Sequence, residues 1–199
     1  MARSSKSRSA PVQTLEHHEL PFADQDVIRI AVISDTHSKA HGDAATQVKA
    51  SRPDLILHAG DIGSREVLTH FESIAPTYVV RGNIDDRKVA PDVVTLTLLG
   101  DNDYQLRILM THIALYGPRL RKDAKVLAAK HKPHLLVCGH SHVPFLAQEG
   151  AMVVFNPGSI GPRRFHLPIC FGLLEFGPGH SKLRHVDCET GETWLPPRL

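Results

Sequence analysis

The sequence has few cysteines, almost no net charge and no long apolar run. Its three cysteines, Cys138, Cys170 and Cys188, are far apart and form no CxxC pattern, which indicates neither a disulfide framework nor a thiolate zinc site. The formal charge of +2 gives no support for a nucleic-acid or anionic-membrane partner. No apolar stretch approaches the roughly 20 residues that span a bilayer, and no apolar segment follows the basic N-terminus as in a secretory signal. We therefore expect a cytoplasmic protein.

The chain of 199 residues is long enough for one ordinary domain with a sizeable core. Residues 1–26 are polar, rich in serine and without apolar periodicity, so we predict that they form a disordered N-terminal extension. A contact of its basic tip with RNA or another partner is the alternative. Residues 27–199 are predicted to form a single domain.

The apolar periodicity predicts an α/β fold with two stacked sheets flanked by helices. The first half alternates strands and helices, which favours a parallel sheet with right-handed crossovers. Its strands are predicted over 27–33, 54–58 and 77–80, and its helices over 42–51 and 64–73. The second half predicts a hairpin over 93–99 and 104–110, a helix over 121–132 and a strand over 134–138. Further strands, assigned to a second sheet, are predicted over 151–155, 169–176 and 182–186.

Five short segments carry metal-binding side chains, and most of them follow a predicted strand. They are Asp35-Thr36-His37, Gly60-Asp61, Gly82-Asn83, Thr111-His112 and Gly139-His140-Ser141-His142. Ligands beyond the carboxyl ends of neighbouring strands converge on one edge of a sheet. If the backbone stays extended there, the D-x-H and H-x-H pairs each point to one side. Taken singly, Asp61 and Asn83 also fit turn formers and His112 a core histidine, but the whole set predicts a centre for two metal ions.

This series of motifs resembles the calcineurin-like metallophosphoesterase superfamily, and within it the small YfcE-type phosphodiesterases. The superfamily pattern is D-x-H, GD, GN, H and GH-x-H, and the YfcE-type segments GN-x-D and NPGS correspond to residues 82–85 and 156–159. The resemblance covers roughly residues 28–186 and implies a four-layer α/β/β/α sandwich of two mixed sheets. It implies that one metal takes Asp35, His37, Asp61 and His142, and that the other takes Asp61, Asn83, His112 and His140, with the Asp61 carboxylate bridging.

The ligand set and the resemblance together predict a dinuclear, metal-dependent phosphoesterase, with diesters favoured over monoesters. Imidazole and oxygen ligands without sulfur suit manganese, and also iron, zinc, cobalt or nickel. Two divalent ions with two carboxylates leave a positive site that attracts phosphate, and a metal-bridging hydroxide is the expected nucleophile. Catalytic roles are expected for Asp61, Asn83, His112 and Asp85, the last either orienting a water or histidine or capping a turn.

Three further positions bear on the substrate. Ile84 stands where many relatives have a histidine that protonates the leaving group, so leaving groups that need no protonation are favoured. Arg163 and Arg164 follow the NPGS segment and are predicted to bind phosphate oxygens, with a solvated surface pair as the alternative. The competing function is a scaffold of the same fold, as in the retromer subunit with its compromised metal site, but the complete ligand set favours an enzyme. We expect a small phosphate-ester substrate and no membrane partner, and a homo-oligomer is compatible with the sequence.

Overall fold

The structure of the protein is a computed structural model that describes residues 13–22, 27–100 and 105–196. Within these ranges the elements are β1 (Leu15–Pro21), β2 (Ile28–Ile33), α1 (Ala44–Ala50), β3 (Leu55–His58), α2 (Arg65–Glu72), β4 (Thr77–Val79), β5 (Val93–Leu99), β6 (Gln105–Thr111), β7 (Leu115–Tyr116), β8 (Arg119–Leu120), α3 (Lys122–His131), β9 (Leu135–Val137), β10 (Phe145–Glu149), β11 (Met152–Asn156), β12 (Cys170–Gly177), β13 (His180–Asp187) and β14 (Thr193–Trp194). None of the described helices is long and apolar enough to cross a bilayer.

The strands form two six-stranded mixed sheets and, among the described residues, one small ribbon. Sheet I has the order β14-β13-β12-β2-β3-β4, and its strands β2, β3 and β4 are parallel. Sheet II has the order β1-β5-β6-β9-β11-β10, in which β6, β9 and β11 are parallel. Strands β7 and β8 pair only with each other.

The two sheets pack face to face because their strands are apolar on both sides. In β2, Ile30 and Val32 contribute to a buried cluster that also holds Leu96 and Ile108 of sheet II. The alternate residue Ile33 belongs to a second cluster, with residues of α1 and α2 on the outer face of sheet I. Helix α3 covers the outer face of sheet II through a third cluster. Each buried Val, Ile or Leu side chain contributes about 1.5–3 kcal/mol. The result is the predicted four-layer α/β/β/α sandwich.

The N-terminal extension is more ordered than the sequence predicts. Residues 15–21 form β1, which pairs in parallel with β5 at the edge of sheet II. The Thr14 amide and hydroxyl donate to Asp92 Oδ2 at 2.8 and 2.9 Å, which fixes the start of the strand. The prediction that this segment is disordered is therefore wrong. An edge strand needs only one buried face, so the many polar residues of this segment conceal the apolar periodicity that predicts a strand. The remaining parts of the predicted extension, residues 1–12 and 23–26, lie outside the described residues.

The assignment of the last three predicted strands to one second sheet is also wrong. Strand β11 does lie in sheet II, but β12 pairs antiparallel with β2 and carries β13 into sheet I. Both faces of β12 are buried, so its apolar pattern does not distinguish the two sheets. The two sheets approach closely at this strand, since a Cβ on Gly172 would lie 2.3 Å from Phe155 Cε1 of sheet II. The predicted hairpin is formed by β5 and β6, with residues 101–104, which include the first residue of the predicted second strand, outside the described ranges.

Candidate metal centre

The predicted metal ligands lie beyond the carboxyl ends of five strands. They follow β2 (Asp35, His37), β3 (Asp61), β4 (Asn83), β6 (His112) and β9 (His140, His142). The first three strands are parallel neighbours in sheet I, and the last two are parallel neighbours in sheet II. Both sheets therefore bring ligands to one end of the sandwich, where ligands of open α/β sheets bind.

One group of ligand atoms comes from Asp35, His37 and His142. The Nε2 atom of His142 lies 3.2 Å from Asp35 Oδ1 and 3.2 Å from His37 Nε2. The His37 nitrogen lies 4.0 Å from the same Asp35 oxygen. Ligand atoms of these three residues fall within 4.8 Å of one another, which is close enough for all of them to bind one ion.

A second group comes from Asp61, His112 and His140, whose ligand atoms also lie within 4.8 Å of one another. Asp61 Oδ1 is 3.2 Å from His112 Nε2. The other oxygen of the same carboxylate, Oδ2, is 3.6 Å from His37 Nε2 in the first group. Asp61 therefore presents one oxygen to each group. Asn83 is exposed and lines the same surface cavity as His112.

Two of these atoms are buried in a way that suits a metal. Asp35 Oδ1 and His112 Nε2 have no hydrogen-bond partner among the described residues, although each has a nitrogen or oxygen 3.2 Å away. Leaving a buried polar atom unsatisfied costs about 1–3 kcal/mol. Atoms that crowd together without hydrogen-bond geometry are expected where all of them point at a common cation. The residues present therefore fit divalent metal ions.

Neighbouring bonds hold the ligands in orientations suitable for metal binding. The buried Nδ1 of His112 lies 2.7 Å from the Ala59 carbonyl oxygen, to which it donates, and this leaves the Nε2 lone pair for a metal. The Ser34 hydroxyl and the His140 amide donate to Asp35 Oδ2 at 2.6 and 3.0 Å. These two bonds occupy one oxygen of Asp35 and leave Oδ1 directed at the first group.

Electrostatics favour positive charge at this edge of the sandwich. Burial opposes ionisation of Asp61, but its contacts with His112 and with the Ile84 amide outweigh burial and lower the pKa of Asp61 to about 2. Burial likewise opposes the imidazolium form of His112, but the carboxylates of Asp61 and Asp35 outweigh it and raise the pKa of His112. Both shifts mean that the anionic carboxylates attract a cation, either a proton or a metal ion.

The backbone at the ligands is not extended, which corrects the geometric basis of the sequence prediction. Asp35, His37, Asp61, His140 and His142 have φ values of 56°, 47°, 54°, 69° and 60°. This left-handed conformation costs a non-glycine residue about 1–2 kcal/mol. Asp35 and His37 still contribute to one ligand group, whereas His140 and His142 contribute to different groups. Such strain collects at functional sites.

Two glycines are required by close contacts with the ligands. A Cβ on Gly82 would lie 2.0 Å from Asp61 Oδ1 and 2.2 Å from Asp61 N. A Cβ on Gly139 would lie 2.0 Å from Ser34 Oγ and 2.7 Å from Asp35 Oδ2. Real Cβ atoms essentially never come closer than 3.0 Å. The glycines that precede Asn83 and His140 therefore leave room for the two carboxylates, as well as for the turn.

Within the described part of the chain, the hydrogen bonds of Asp85 come from backbone amides and not from a histidine. Its carboxylate accepts the amides of Gly82 at 2.7 Å, Gly63 at 2.9 Å and Ile62 at 3.1 Å. These bonds join the loop after β4 to the loop after β3, which carries Asp61. These contacts are those of the turn-capping alternative, and the catalytic role of Asp85 stays a prediction.

The NPGS segment supports the ligand loops, a role that the sequence analysis did not assign. Asn156 Nδ2 donates to the Gly139 carbonyl at 2.7 Å and to Ser141 Oγ at 3.1 Å. Ser159 Oγ donates to the Asp35 carbonyl at 3.0 Å. Both side chains are buried. The conspicuous NPGS motif was the only sequence signal that could have identified these supports.

His58 is a buried support of the loop after β2. Thr36 Oγ1 donates to the Ile62 carbonyl at 2.8 Å and accepts from His58 Nε2 at 3.0 Å, while the Gly60 amide donates to His58 Nδ1 at 3.2 Å. Burial lowers the pKa of His58 from 6.5 to about 4. Between these values the unfolded chain binds the proton and the folded chain does not, so stability falls as the pH drops from about 6.5 to about 4.

The two arginines after the NPGS segment differ in position. Arg164 Nη2 lies 3.2 Å from His37 Nε2, at the first ligand group. Arg163 instead bonds the Glu189 carboxylate and donates to the Leu167 carbonyl at 3.0 Å. Of the predicted pair, only Arg164 reaches the candidate centre, and Arg163 fixes the loop that carries it.

Sequence comparisons support the family resemblance. A family model described as the calcineurin-like phosphoesterase superfamily domain matches residues 28–178. A probable metallophosphoesterase of Methanothermobacter thermautotrophicus is 33% identical over 136 residues, which cover 65% of this chain and 76% of that protein. The phosphodiesterase YfcE of Escherichia coli K12 is 35% identical over 69 residues, which cover 35% of this chain and 34% of that protein. The predicted resemblance is confirmed.

Solved structures share the fold. Vacuolar protein sorting 29 from Cryptosporidium parvum superposes with a TM-score of 0.70 at 17% identity, over 85% of this chain and 95% of that chain. The zinc complex of Vps29 from Entamoeba histolytica gives a TM-score of 0.59 at 20% identity, over 81% of this chain and 99% of that chain. At these identities the likeness shows the fold alone, and it confirms the predicted fold class.

Proposed function

The chain belongs to the calcineurin-like phosphoesterase superfamily, and from that premise we propose that it is a dinuclear, metal-dependent phosphodiesterase. The observation that carries the proposal is the position of the Asp61 carboxylate. Its Oδ1 lies 3.2 Å from His112 Nε2, and its Oδ2 lies 3.6 Å from His37 Nε2. One carboxylate that serves two ligand groups is the arrangement expected for two ions held close together.

The proposed ligands divide between two sites. One would hold an ion with Asp35, His37, Asp61 and His142, and the other with Asp61, Asn83, His112 and His140. When bound, such a pair of ions supplies Lewis-acid activation of water and of the phosphoryl group at neutral pH. Manganese is our first choice of metal, since the donors are oxygen and imidazole nitrogen.

The remaining chemistry comes from side chains around the ligands. Arg164 extends to His37, where its guanidinium would bind a phosphate oxygen and orient the ester. Ile84 follows Asn83, and its amide donates to Asp61 Oδ1 at 3.2 Å, which places an apolar, half-exposed side chain at the rim. Ile84 has no proton to give. A leaving group with a low pKa is therefore expected to react fastest.

The preference for diesters is the finer part of the proposal. It is supported by the sequence similarity to a protein named phosphodiesterase YfcE. The site also has only one arginine within reach of His37 among the described residues, and a single guanidinium suits the single negative charge of a diester. A site for monoesters, which carry about two charges, would gain more from additional cations.

The test is a metal and substrate panel on the full chain. The protein is stripped of metal, loaded with manganese, iron, zinc, cobalt or nickel, and assayed with bis(p-nitrophenyl) phosphate and p-nitrophenyl phosphate. We expect turnover to need metal and to be faster for the diester. Asp61→Asn should lose both metal retention and turnover, whereas Asp43→Asn, a control at an exposed carboxylate before α1, should keep both. Absence of turnover with every metal would refute the proposal.

The scaffold alternative receives less support. The Vps29 structures resemble this chain at 20% identity or less and therefore speak only for the fold. All seven predicted ligands are present here, and six of them lie in two compact groups. The complete ligand set favours an enzyme, and the metal and substrate panel decides between the two alternatives.

A further inference from the structure

A cavity of about 330 Å³ adjoins the second ligand group, and Asn83 and His112 form part of its wall. The volume is at the lower end of the range for small-molecule sites, roughly 300–1,000 Å³. It therefore suits one small substituent of a phosphate ester. Arg164 lies beside His37, in the other ligand group, so the cavity and the proposed phosphate-binding arginine are associated with different parts of the centre.

The charges in the cavity wall cancel in pairs. Arg81 Nη2 lies 2.5 Å from Asp92 Oδ1, and Arg81 Nη1 donates to the Gly82 carbonyl at 3.1 Å. Arg121 Nε lies 3.3 Å from Asp123 Oδ1 at the exposed side of the cavity. All four side chains line the cavity. A second anionic group would find no net positive charge here, and a purely apolar group would desolvate ion pairs without replacing their hydration.

Besides the ion pairs and the two ligands, the lining holds Gly82 and three side chains, which are the amide of Gln13, a hydroxyl and an apolar group. Thr111, the residue before His112, contributes a hydroxyl, and Ile113, the residue after it, contributes an apolar surface. Groups with C–H faces and several hydroxyls, such as sugars and glycerol, match a lining that is neutral overall and rich in both donors and acceptors.

We propose that this cavity binds an uncharged polyol or sugar group that stays on phosphorus while the other ester group leaves. The assignment rests on the proposed function, since the phosphoryl group must sit at the candidate metal centre. A polyol that left phosphorus would depart as an alkoxide, which needs a proton, and Ile84 offers none. We therefore assign the retained group, and not the leaving group, to this cavity. Hydrolysis would form a bond from a water oxygen to phosphorus and break the phosphorus–oxygen bond to the other, better leaving group. That group would depart as its anion with the bonding pair, and the proton released from water would go to solvent.

Direct binding tests the assignment without relying on turnover. Calorimetry on the manganese-loaded full chain compares 2,3-dihydroxypropylphosphonate with propylphosphonate, which share the metal-binding head and the carbon chain. The two additional hydroxyls can form hydrogen bonds in the cavity, so we expect a Kd about tenfold lower for the diol, which corresponds to about 1.4 kcal/mol. Equal Kd values would overturn the cavity assignment alone. Binding of neither phosphonate would overturn the proposed function and this assignment with it.

Two variants locate the preference. Thr111→Val keeps the branched shape and should lower the diol preference to about twofold, whereas Thr97→Val, on strand β5 and outside the cavity lining, should keep it at about tenfold. An unchanged preference in Thr111→Val would overturn the assignment. If that variant does not fold, the exposed Asp123→Asn change makes the cavity net positive, and it should bind 2-carboxyethylphosphonate about fivefold more tightly than the wild type does. No gain would again overturn the assignment.

Discussion

Replacing Gly82 with alanine is the sharpest test of how the candidate metal centre is built. The new Cβ would lie 2.0 Å from Asp61 Oδ1, and the closest approach that real Cβ atoms make is 3.0 Å. The carboxylate would have to move by about 1 Å, the difference between these distances. Metal–ligand distances are specific to about 0.2 Å. A shift of this size therefore removes the carboxylate that both ligand groups share, without changing any ligand.

The expected result is metal binding at least about 100-fold weaker in Gly82→Ala, since even partners outside the ligand set can change affinity by about 10–100-fold. Calorimetry with Mn²⁺ and elemental analysis after dialysis measure it. Gly42→Ala is the matched control, because a Cβ there meets nothing within 4 Å. Overpacking costs about 1–3 kcal/mol, so circular dichroism must first show both variants folded. Two ions bound by a folded Gly82→Ala with an affinity within about threefold of wild type would refute the reasoning.

Three further predictions follow from the surroundings of the centre. In urea unfolding, the metal-free wild type should lose about 2–3 kcal/mol of stability between pH 7 and pH 4.5, because the buried His58 does not bind the proton that the unfolded chain binds. His58→Gln should lose less stability over the same range, and equal losses would show that burial of this imidazole has no such effect. Arg164→Ala should raise the KM for a phosphodiester about tenfold and Arg163→Ala by less than about threefold, and equal effects would contradict the assigned positions. Ile84→His should flatten the dependence of kcat on leaving-group pKa across aryl diesters, so an unchanged slope would show that position 84 donates no proton even as histidine.

The ligands could be predicted from the sequence because parallel strands have a fixed polarity. Asp35, Asp61 and Asn83 each follow an apolar run of strand length, and β-α-β connections return every strand in the same direction. Their carboxyl ends then meet at one edge, whatever the twist of the sheet. The helices and most strands were predictable for the same reason, since periods of 3.6 and 2 residues survive wherever one face is buried.

Features set by contacts across the fold were not predictable in this way. Strand β12 joins sheet I because it pairs with β2, more than a hundred residues away. Arg163 and Arg164 make different contacts because Arg163 pairs with Glu189, a residue that lies beyond β13. Asp85 caps two loops whose proximity exists only after folding. In each case the local pattern fitted two roles, and a distant partner decided between them.

The left-handed residues explain how the ligand loops acquire their shape. Of the nine non-glycine residues with positive φ in the described ranges, five are predicted ligands. The loop after β2 is bound to the loop after β3 by three backbone bonds, from the amides of Asp35, His37 and Ser38 to the carbonyls of residues 60, 61 and 62, at 2.9, 3.0 and 2.9 Å. These bonds offset a cost of about 1–2 kcal/mol for each strained residue. Because protein backbone alone supplies them, we expect the candidate ligands to be held in place without metal, so that metal binding would carry little ordering cost at these loops.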